Sequence, residues 1–188
     1  ENGDFGPTLG SYDNPLAIAE YDQQLSVQHR ILGNIAATYQ IAPSLSFTTR
    51  WSADVLFLKE DFFWNPLVGQ AVGTGGEANT ATALLTKYVN ENTLNFNTTI
   101  GDNQKFDALL GFSWEDNHTE RSSLQATGFP NVEFTTINAA TNYTDGFSSY
   151  TDFGIVSYFS RFNYSINDKY RASFSLRLDG SSRFGENN

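Results

Sequence analysis

Residues 25–58 read LSVQHRILGNIAATYQIAPSLSFTTRWSADVLFL, and their alternation decides the fold. The apolar side chains share one parity: Val27, Ile31, Ile35, Ala37 and Tyr39, then Phe47, Trp51, Val55 and Phe57. The opposite parity is polar and includes the full charges of Arg30, Arg50 and Asp54. A period of two residues is typical of a β-strand with one apolar and one wet side. Because the wet side carries charges and the other is almost free of polar atoms, the pattern favours a wall between lipid and water over a soluble core.

The same alternation recurs downstream and predicts six strands in three hairpins. They cover residues 25–40, 45–58, 84–100, 105–114, 150–166 and 169–178. Within each hairpin the turn is short, whereas residues 1–24, 59–83 and 115–149 are predicted as long loops. The strands match the roughly 9–11 residues that cross a bilayer at a tilt. We therefore predict an all-β fold, part of an antiparallel transmembrane β-barrel with short periplasmic turns and long extracellular loops.

Composition supports this fold class and narrows the chemistry. Charged residues make up 17% of the chain and aromatic residues 15%, whereas an ordinary globular protein has about 25% charged residues. No apolar run approaches the roughly 20 residues of a spanning helix. The net charge of −10 argues against nucleic acid as a partner, because phosphate binding needs clustered Lys and Arg.

The chain also has the features expected of a partial domain. It contains no methionine, so we expect the start codon to lie outside it. Six strands are too few to close a spanning barrel, which needs about eight. Residues 1–188 are therefore predicted to be a partial outer-membrane β-barrel domain that lacks the remaining strands.

Parity assigns two sets of side chains to the two sides of this wall. Aromatic residues near the three short turns are predicted to form a lipid-facing girdle: Tyr39, Phe47, Phe96, Phe106, Tyr164 and Tyr170. The charged residues of the other parity are predicted to face the lumen: Arg30, Arg50, Asp54, Glu91, Asp107, Arg161, Arg171 and Arg177.

Catalytic and metal-binding residues are scarce. The chain has no cysteine and no Gly-x-Ser-x-Gly motif, and its only histidines are His29 and His118. We therefore expect no enzyme activity, no metal site and no cofactor. The candidate for substrate contact is the aromatic run Phe62, Phe63 and Trp64, predicted to lie in a loop. It would offer a platform to a sugar ring or a peptide side chain; the alternatives are a hydrophobic anchor for the loop or a contact with a lid protein.

The most specific motif is residues 176–185, LRLDGSSRFG. It resembles the signature of SusC/RagA-type TonB-dependent outer-membrane transporters of the Bacteroidetes, in which a barrel strand ends in Arg-x-Asp-Gly-Ser-Ser-Arg-Phe-Gly. Residues 157–164, 168–170, 128–131 and 110–112 are also similar to that family. The signature residues here are Asp179, Gly180, Ser181, Ser182, Arg183, Phe184 and Gly185. Gly180 would permit a positive φ where the strand ends, and Arg183 could pair with Asp179 or a neighbouring loop.

This resemblance implies a barrel of about 22 strands that encloses a plug. It implies a SusD-like surface lipoprotein that lids the barrel, and a TonB complex that acts through parts outside this chain. The plug and the TonB box of such a transporter are therefore expected to be absent from residues 1–188. The expected function is import of glycans or peptides across the outer membrane, whose lipid surrounds the wall. Two alternatives remain open: a passive porin-type barrel, against which only the signature speaks, and a soluble carbohydrate-binding or adhesin β-protein. A cooperatively melting monomer without detergent would favour the soluble protein.

Overall fold

The computed structural model describes residues 14–184 of the chain. In chain order its main elements are α1 (Pro15–Tyr21), β1 (Gln23–Ala42), β2 (Leu45–Trp64), β3 (Glu77–Ile100), β4 (Gln104–Thr127), β5 (Asn142–Ile166) and β6 (Tyr170–Ser181), with single 3₁₀ turns at Gly69–Ala71 and Ile137–Ala139. All six strands form one sheet in the order β1-β2-β3-β4-β5-β6. The predicted all-β fold of six antiparallel strands is confirmed. Among residues 14–184, the helices are all too short or too polar to cross a membrane.

The described chain divides into two compact units. Unit 1 contains residues 14–29, 56–84 and 119–150, and unit 2 contains residues 30–55, 85–118 and 151–184. The short turns belong to unit 2 and the longer connections to unit 1.

The strands extend further than the alternation predicts. β3 and β4 are each 24 residues long and β5 is 25, so the long connections shrink from 59–83 and 115–149 to 65–76 and 128–141. The added segments carry Thr, Ser and Asn on both parities. Strands wetted on both sides keep their backbone ladder but lose the alternation from which strands are recognised, so the predicted boundaries were wrong.

A short helix replaces part of the N-terminal loop predicted at residues 1–24. Asn14 caps α1, since its Oδ1 accepts a hydrogen bond of 3.0 Å from the backbone N of Leu16. Pro15 occupies the first helical position, where its missing N–H costs nothing. The Asn-Pro pair is a helix-start signal that the sequence analysis missed.

Unit 1 has a small core beside its two connections. Phe63, Ala78 and Phe129 form it, and the two phenyl rings meet edge to face at 5.1 Å. The backbone N of Phe129 donates to the carbonyl of Gly75 at 2.9 Å. Gly75 adopts a φ of 76°, which explains glycine there. There is also little room for a side chain at Gly75, because an added Cβ would lie 3.3 Å from the backbone of Gly128.

The apolar parity of unit 2 is not buried by a second layer within the described residues. Trp51 remains 53% exposed and Phe174 59% exposed. Other large apolar side chains exposed on this parity are Ile31, Ile35, Tyr39, Leu110, Tyr158, Leu176 and Leu178. A soluble sandwich would bury this side, whereas an apolar surface of this kind marks contact with a membrane or a partner.

Aromatic rings on this apolar side pack against each other across four strands. Phe96, Phe106, Phe162 and Phe174 lie on β3 to β6 in turn, and successive ring centroids are 6.3, 6.5 and 6.4 Å apart. Phe162 and Phe174 are direct cross-strand partners in the β5–β6 register. Aromatic pairs at such spacing stabilise a sheet by about 0.2–1 kcal/mol each.

A charge on the apolar side should prevent insertion, whereas one on the polar side should not. Phe112 contacts Tyr158 at 5.3 Å on the apolar side of β4, and its neighbour Ser113 has the opposite parity. We expect Phe112→Arg, made in the full-length protein, to lose most heat-modifiable folded barrel on gels, because Arg facing lipid costs about 2–4 kcal/mol near the midplane. Ser113→Arg is the matched control; equal assembly of both variants would contradict the orientation.

Candidate functional site

The signature motif forms a contact cluster with β5. In the β5–β6 register Phe159 lies opposite Arg177 and Ser157 opposite Asp179. Arg177 donates from Nη2 to the Ser157 hydroxyl at 3.0 Å and from Nε to Asp179 at 2.8 Å. Its guanidinium also lies 5.5 Å from the centroid of the Phe159 ring. Ser157 is only 1% exposed, so Arg177 satisfies a buried hydroxyl while it fixes the acidic residue of the motif.

Gly111 on β4 belongs to the same cluster. A Cβ built on Gly111 would collide with the ring of Phe159, so the ring covers the backbone where glycine leaves room. Glycine inside a strand often marks such a close approach, and an aromatic ring over it compensates for the missing side chain. The similarity of residues 110–112 to the transporter family therefore has a physical basis in this contact.

The end of the motif also packs on β5. The backbone N of Ser182 donates to the carbonyl of Gly154 at 3.0 Å, and the N of Gly154 donates back to the Ser182 hydroxyl at 2.9 Å. The Arg183 guanidinium lies 3.7 Å from the ring centroid of Phe153, a cation–π geometry. These contacts hold the residues after β6 against the neighbouring strand.

Two parts of the expectations for this motif are wrong: the pairing of Arg183 with Asp179 and the positive φ of Gly180. Asp179 pairs with Arg177 on its own strand, two residues away, instead of with Arg183, which lies over an aromatic ring. Gly180 does not adopt a positive φ, because β6 continues through Ser181. Gly185 lies outside the described residues.

The aromatic run at Phe62, Phe63 and Trp64 ends strand β2 rather than lying in a loop. Alternation therefore divides it between the two sides of the sheet. The rings of Phe62 and Trp64 stack at 5.7 Å with 12° between their planes. Phe63 is 3% exposed in the core of unit 1, so it anchors the connection and offers no platform. The platform prediction is wrong for Phe63 and stays a prediction for the stacked pair.

Charges of the polar parity form ion pairs between neighbouring strands of unit 2. Arg30 and Asp54 join β1 to β2 through two contacts of 2.8 and 2.6 Å. Lys87 and Glu115 join β3 to β4 at 2.8 Å. Arg177 is also paired, with Asp179. The other predicted lumen charges make no side-chain ion pair within residues 14–184: Arg50, Glu91, Asp107, Arg161 and Arg171. Whether this side faces a lumen stays a prediction, because the sheet is open.

The turn ends of unit 2 are held by polar contacts. Lys105 and Asp168 pair at 2.8 Å beside two turns, and hydrogen bonding to the Lys105 ammonium lowers the pKa of the Asp168 carboxyl. The Tyr164 hydroxyl, from the predicted girdle, donates to Gln104 at 2.5 Å. A ring with an apolar body and a bonded hydroxyl suits an interface between lipid and water. In residues 14–184, groups of three or more potential metal-ligating His, Cys, Asp or Glu side chains are lacking.

The chain is similar in sequence to known proteins. No protein-family model matches the chain. The chain is 29% identical over 191 residues to TonB-dependent receptor P26 of Formosa agariphila, covering 98% of the chain and 19% of the relative. It is 33% identical over 180 residues to TonB-dependent receptor P39 of the same organism, covering 93% of the chain and 17% of the relative. The resemblance to TonB-dependent receptors is confirmed.

Solved structures show the same fold. Structures of the RagAB peptide transporter and of the RagAB peptide importer in the open-open state match with TM-scores of 0.84 and 0.87 at 21% identity. They align with 91% and 100% of the chain and with 19% and 22% of their own chains. The chain thus spans about a fifth of the receptors and structures it matches. Its open sheet has the fold of part of the RagA barrel.

The sequence analysis missed the partners of the receptor-like signature. Ser157 and Phe159 lie in the segment 157–164 noted for its resemblance, but their contact with the motif was not predicted, and Phe153 was not selected. The two aromatic residues stand on the polar parity of β5. An aromatic side chain that breaks the alternation is the signal that could have identified them. Gly111 in β4 is a second signal, since glycine is disfavoured inside a strand without a packing reason.

Removing Arg177 should destabilise the barrel through its lost contacts. We expect Arg177→Ala to lower the free energy of unfolding by about 1–3 kcal/mol, because a buried hydroxyl and a carboxylate lose their donor. Arg171→Ala, on the same strand and parity, should change it by no more than about 0.5 kcal/mol. Urea unfolding of the full-length protein in detergent measures both; equal losses would show that the cluster contributes nothing specific.

Gly111 and Phe159 should be energetically coupled. Gly111→Ala forces the ring away and should cost about 1–3 kcal/mol. In a Phe159→Ala background the same substitution should cost little, since the space is open. A double-mutant cycle on urea unfolding checks this, and an equal cost of Gly111→Ala in both backgrounds would refute the contact.

Proposed function

We propose that residues 1–188 form part of the barrel wall of a TonB-dependent, SusC-like importer in the outer membrane. The observation that carries this proposal is the two-sided sheet: apolar side chains such as Trp51 and Phe174 are uncovered on one parity, whereas charges pair on the other. The likeness to TonB-dependent receptors over 98% of the chain supports it. A passive porin would share the two-sided sheet but not that likeness.

In this proposal the apolar parity faces acyl chains and the charged parity faces an aqueous lumen with a plug. Slipping the first hairpin by one residue would turn Arg30 and Arg50 toward lipid, at about 2–4 kcal/mol each near the midplane. The pair between Arg30 and Asp54 gains from a water-filled interior, because neither charge is removed from water. The free-energy cost of placing these charges in lipid therefore fixes the register of the first hairpin.

The proposed cargo is a glycan or a peptide, and the proposed partner is a SusD-like surface lipoprotein that lids the barrel. The RagAB structures support the peptide alternative and a partnered architecture, since RagAB is a peptide transporter. Energy would come from the TonB complex through parts of the protein outside this segment. The segment itself would be non-catalytic: the relatives are named receptors and transporters. Its role would be to hold the wall and the signature segment rigid.

Energy dependence distinguishes this importer from a porin. Cells that carry the complete protein should accumulate a labelled oligopeptide mixture or a labelled oligosaccharide mixture, and loss of TonB should reduce accumulation to that of cells without the protein. The measurement is cell-associated label over time in the two strains. Uptake that persists undiminished without TonB would overturn the proposal and favour passive diffusion.

A further inference from the structure

On the side of the polar parity, unit 1 has a trough of about 280 Å³ with no assigned function. Four neighbouring strands, β2 to β5, supply its lining, which consists of the apolar side chains Leu58, Ala81, Ala83 and Phe147, the charged Glu60 and Arg121, and three hydroxyl-bearing residues. The small side chains Ala81 and Ala83 form its floor on β3, and larger apolar side chains stand on β2 and β5. The trough is therefore mostly apolar and could accept an aliphatic or aromatic side chain.

Two opposite charges stand on either side of this floor. Glu60 is on β2 and Arg121 is on β4, so one strand separates them. Two strand spacings amount to about 10 Å between their backbones. Within residues 14–184 neither side chain makes an ion pair or a hydrogen bond.

Some charges of this parity pair with an adjacent strand and others do not, so Glu60 and Arg121 are distinguished by their position on either side of an apolar floor. Arg30 reaches Asp54, and Lys87 reaches Glu115, each on the adjacent strand. Glu60 and Arg121 instead leave an anionic and a cationic group open across an apolar floor. Such an arrangement complements a ligand with a positive end, an apolar middle and a negative end.

We propose that this trough binds a short peptide through its two free ends. Glu60 accepts hydrogen bonds from the peptide ammonium, the Arg121 fork donates to the terminal carboxylate, and a central apolar side chain rests on Ala81 and Ala83. An extended tripeptide spans about 10 Å, which matches the separation of the two strands. The stacked pair Phe62 and Trp64 follows Glu60 on the same side of β2 and would flank the amino end.

This inference rests on the proposed function and selects one of its two substrate classes. A neutral oligosaccharide has no group that needs either charge. An acidic oligosaccharide would gain from Arg121 but be repelled by Glu60. The largely apolar lining also favours a leucine-like side chain over a sugar, whose hydroxyl groups require polar partners.

The test measures binding of trileucine to the complete protein in detergent by calorimetry, with N-acetylated and C-amidated trileucine and an oligogalacturonate as further probes. Arg121→Gln should weaken binding of free trileucine by about tenfold or more, since a charge-assisted hydrogen bond is lost. Arg121→Gln should change binding of C-amidated trileucine by less than about twofold. Glu60→Gln should likewise weaken binding of free trileucine much more than binding of N-acetylated trileucine. These results together support the proposal.

Matched controls separate a local effect from a change in net charge. Glu120→Gln alters the residue next to Arg121 on the other side of β4, and Arg161→Gln removes a charge of the same parity in unit 2. Both should leave trileucine binding within about twofold of the wild type. A loss in the controls equal to that in the trough variants would overturn the proposal.

Three further results would also overturn it: no saturable trileucine binding at up to about 1 mM, equal loss for free and capped peptides, or oligogalacturonate binding that Glu60→Gln strengthens. The last would assign the trough to an acidic glycan. Because binding in detergent needs no TonB, failure here is separate from failure of energy-dependent uptake. Terminus-dependent binding with TonB-independent uptake would support the trough and contradict the transport mechanism.

Discussion

The structure depends on one constraint: the two sides of a single sheet differ in polarity, while every strand keeps its backbone hydrogen bonds with its neighbours. In unit 2 many side chains of the apolar parity are exposed, and aromatic rings such as Phe106 and Phe162 pack against each other across neighbouring strands. A sheet with such a side is unstable in water but suited to hydrocarbon, where unpaired backbone groups are the main cost. The alternation, the strand pairing and the proposed membrane setting all follow from this constraint.

The polar side of the sheet contains a specific cluster of contacts around Arg177. Arg177 connects a buried hydroxyl, a carboxylate and an aromatic ring, and that ring covers the backbone of Gly111. These groups come from three neighbouring strands, so the signature motif is a packing unit of the wall rather than an isolated loop. A rigid wall at this point gives the residues after β6 a defined position, which a surface that contacts a ligand or a lid would require.

Unit 1 shows how the same strands change character outside the alternating segments. The ladder continues, but a small core of Phe63, Ala78 and Phe129 replaces the two-sided pattern. Glycines pair the ends of the two connections, so that Gly75 and Phe129 share a backbone hydrogen bond. The residues that line the trough belong to strands β2 to β5 and not to the connections. Specificity can then reside on strands, where side chains are held more firmly than on a mobile loop.

Much of this protein was determined by its sequence alone: local alternation predicted the six strands, the short turns and the parity of each charge, and the motif at residues 176–185 predicted the likeness to TonB-dependent receptors. Alternation was insufficient at the strand ends, because a segment such as residues 119–127 has polar residues on both parities and carries no periodic signal. Only the tertiary structure decided that Phe63 is buried while Phe62 and Trp64 stack, and that Arg177 rather than Arg183 pairs with Asp179. Parity is a property of neighbouring residues in one strand, whereas these contacts depend on the register between strands, which brings together residues far apart in the chain.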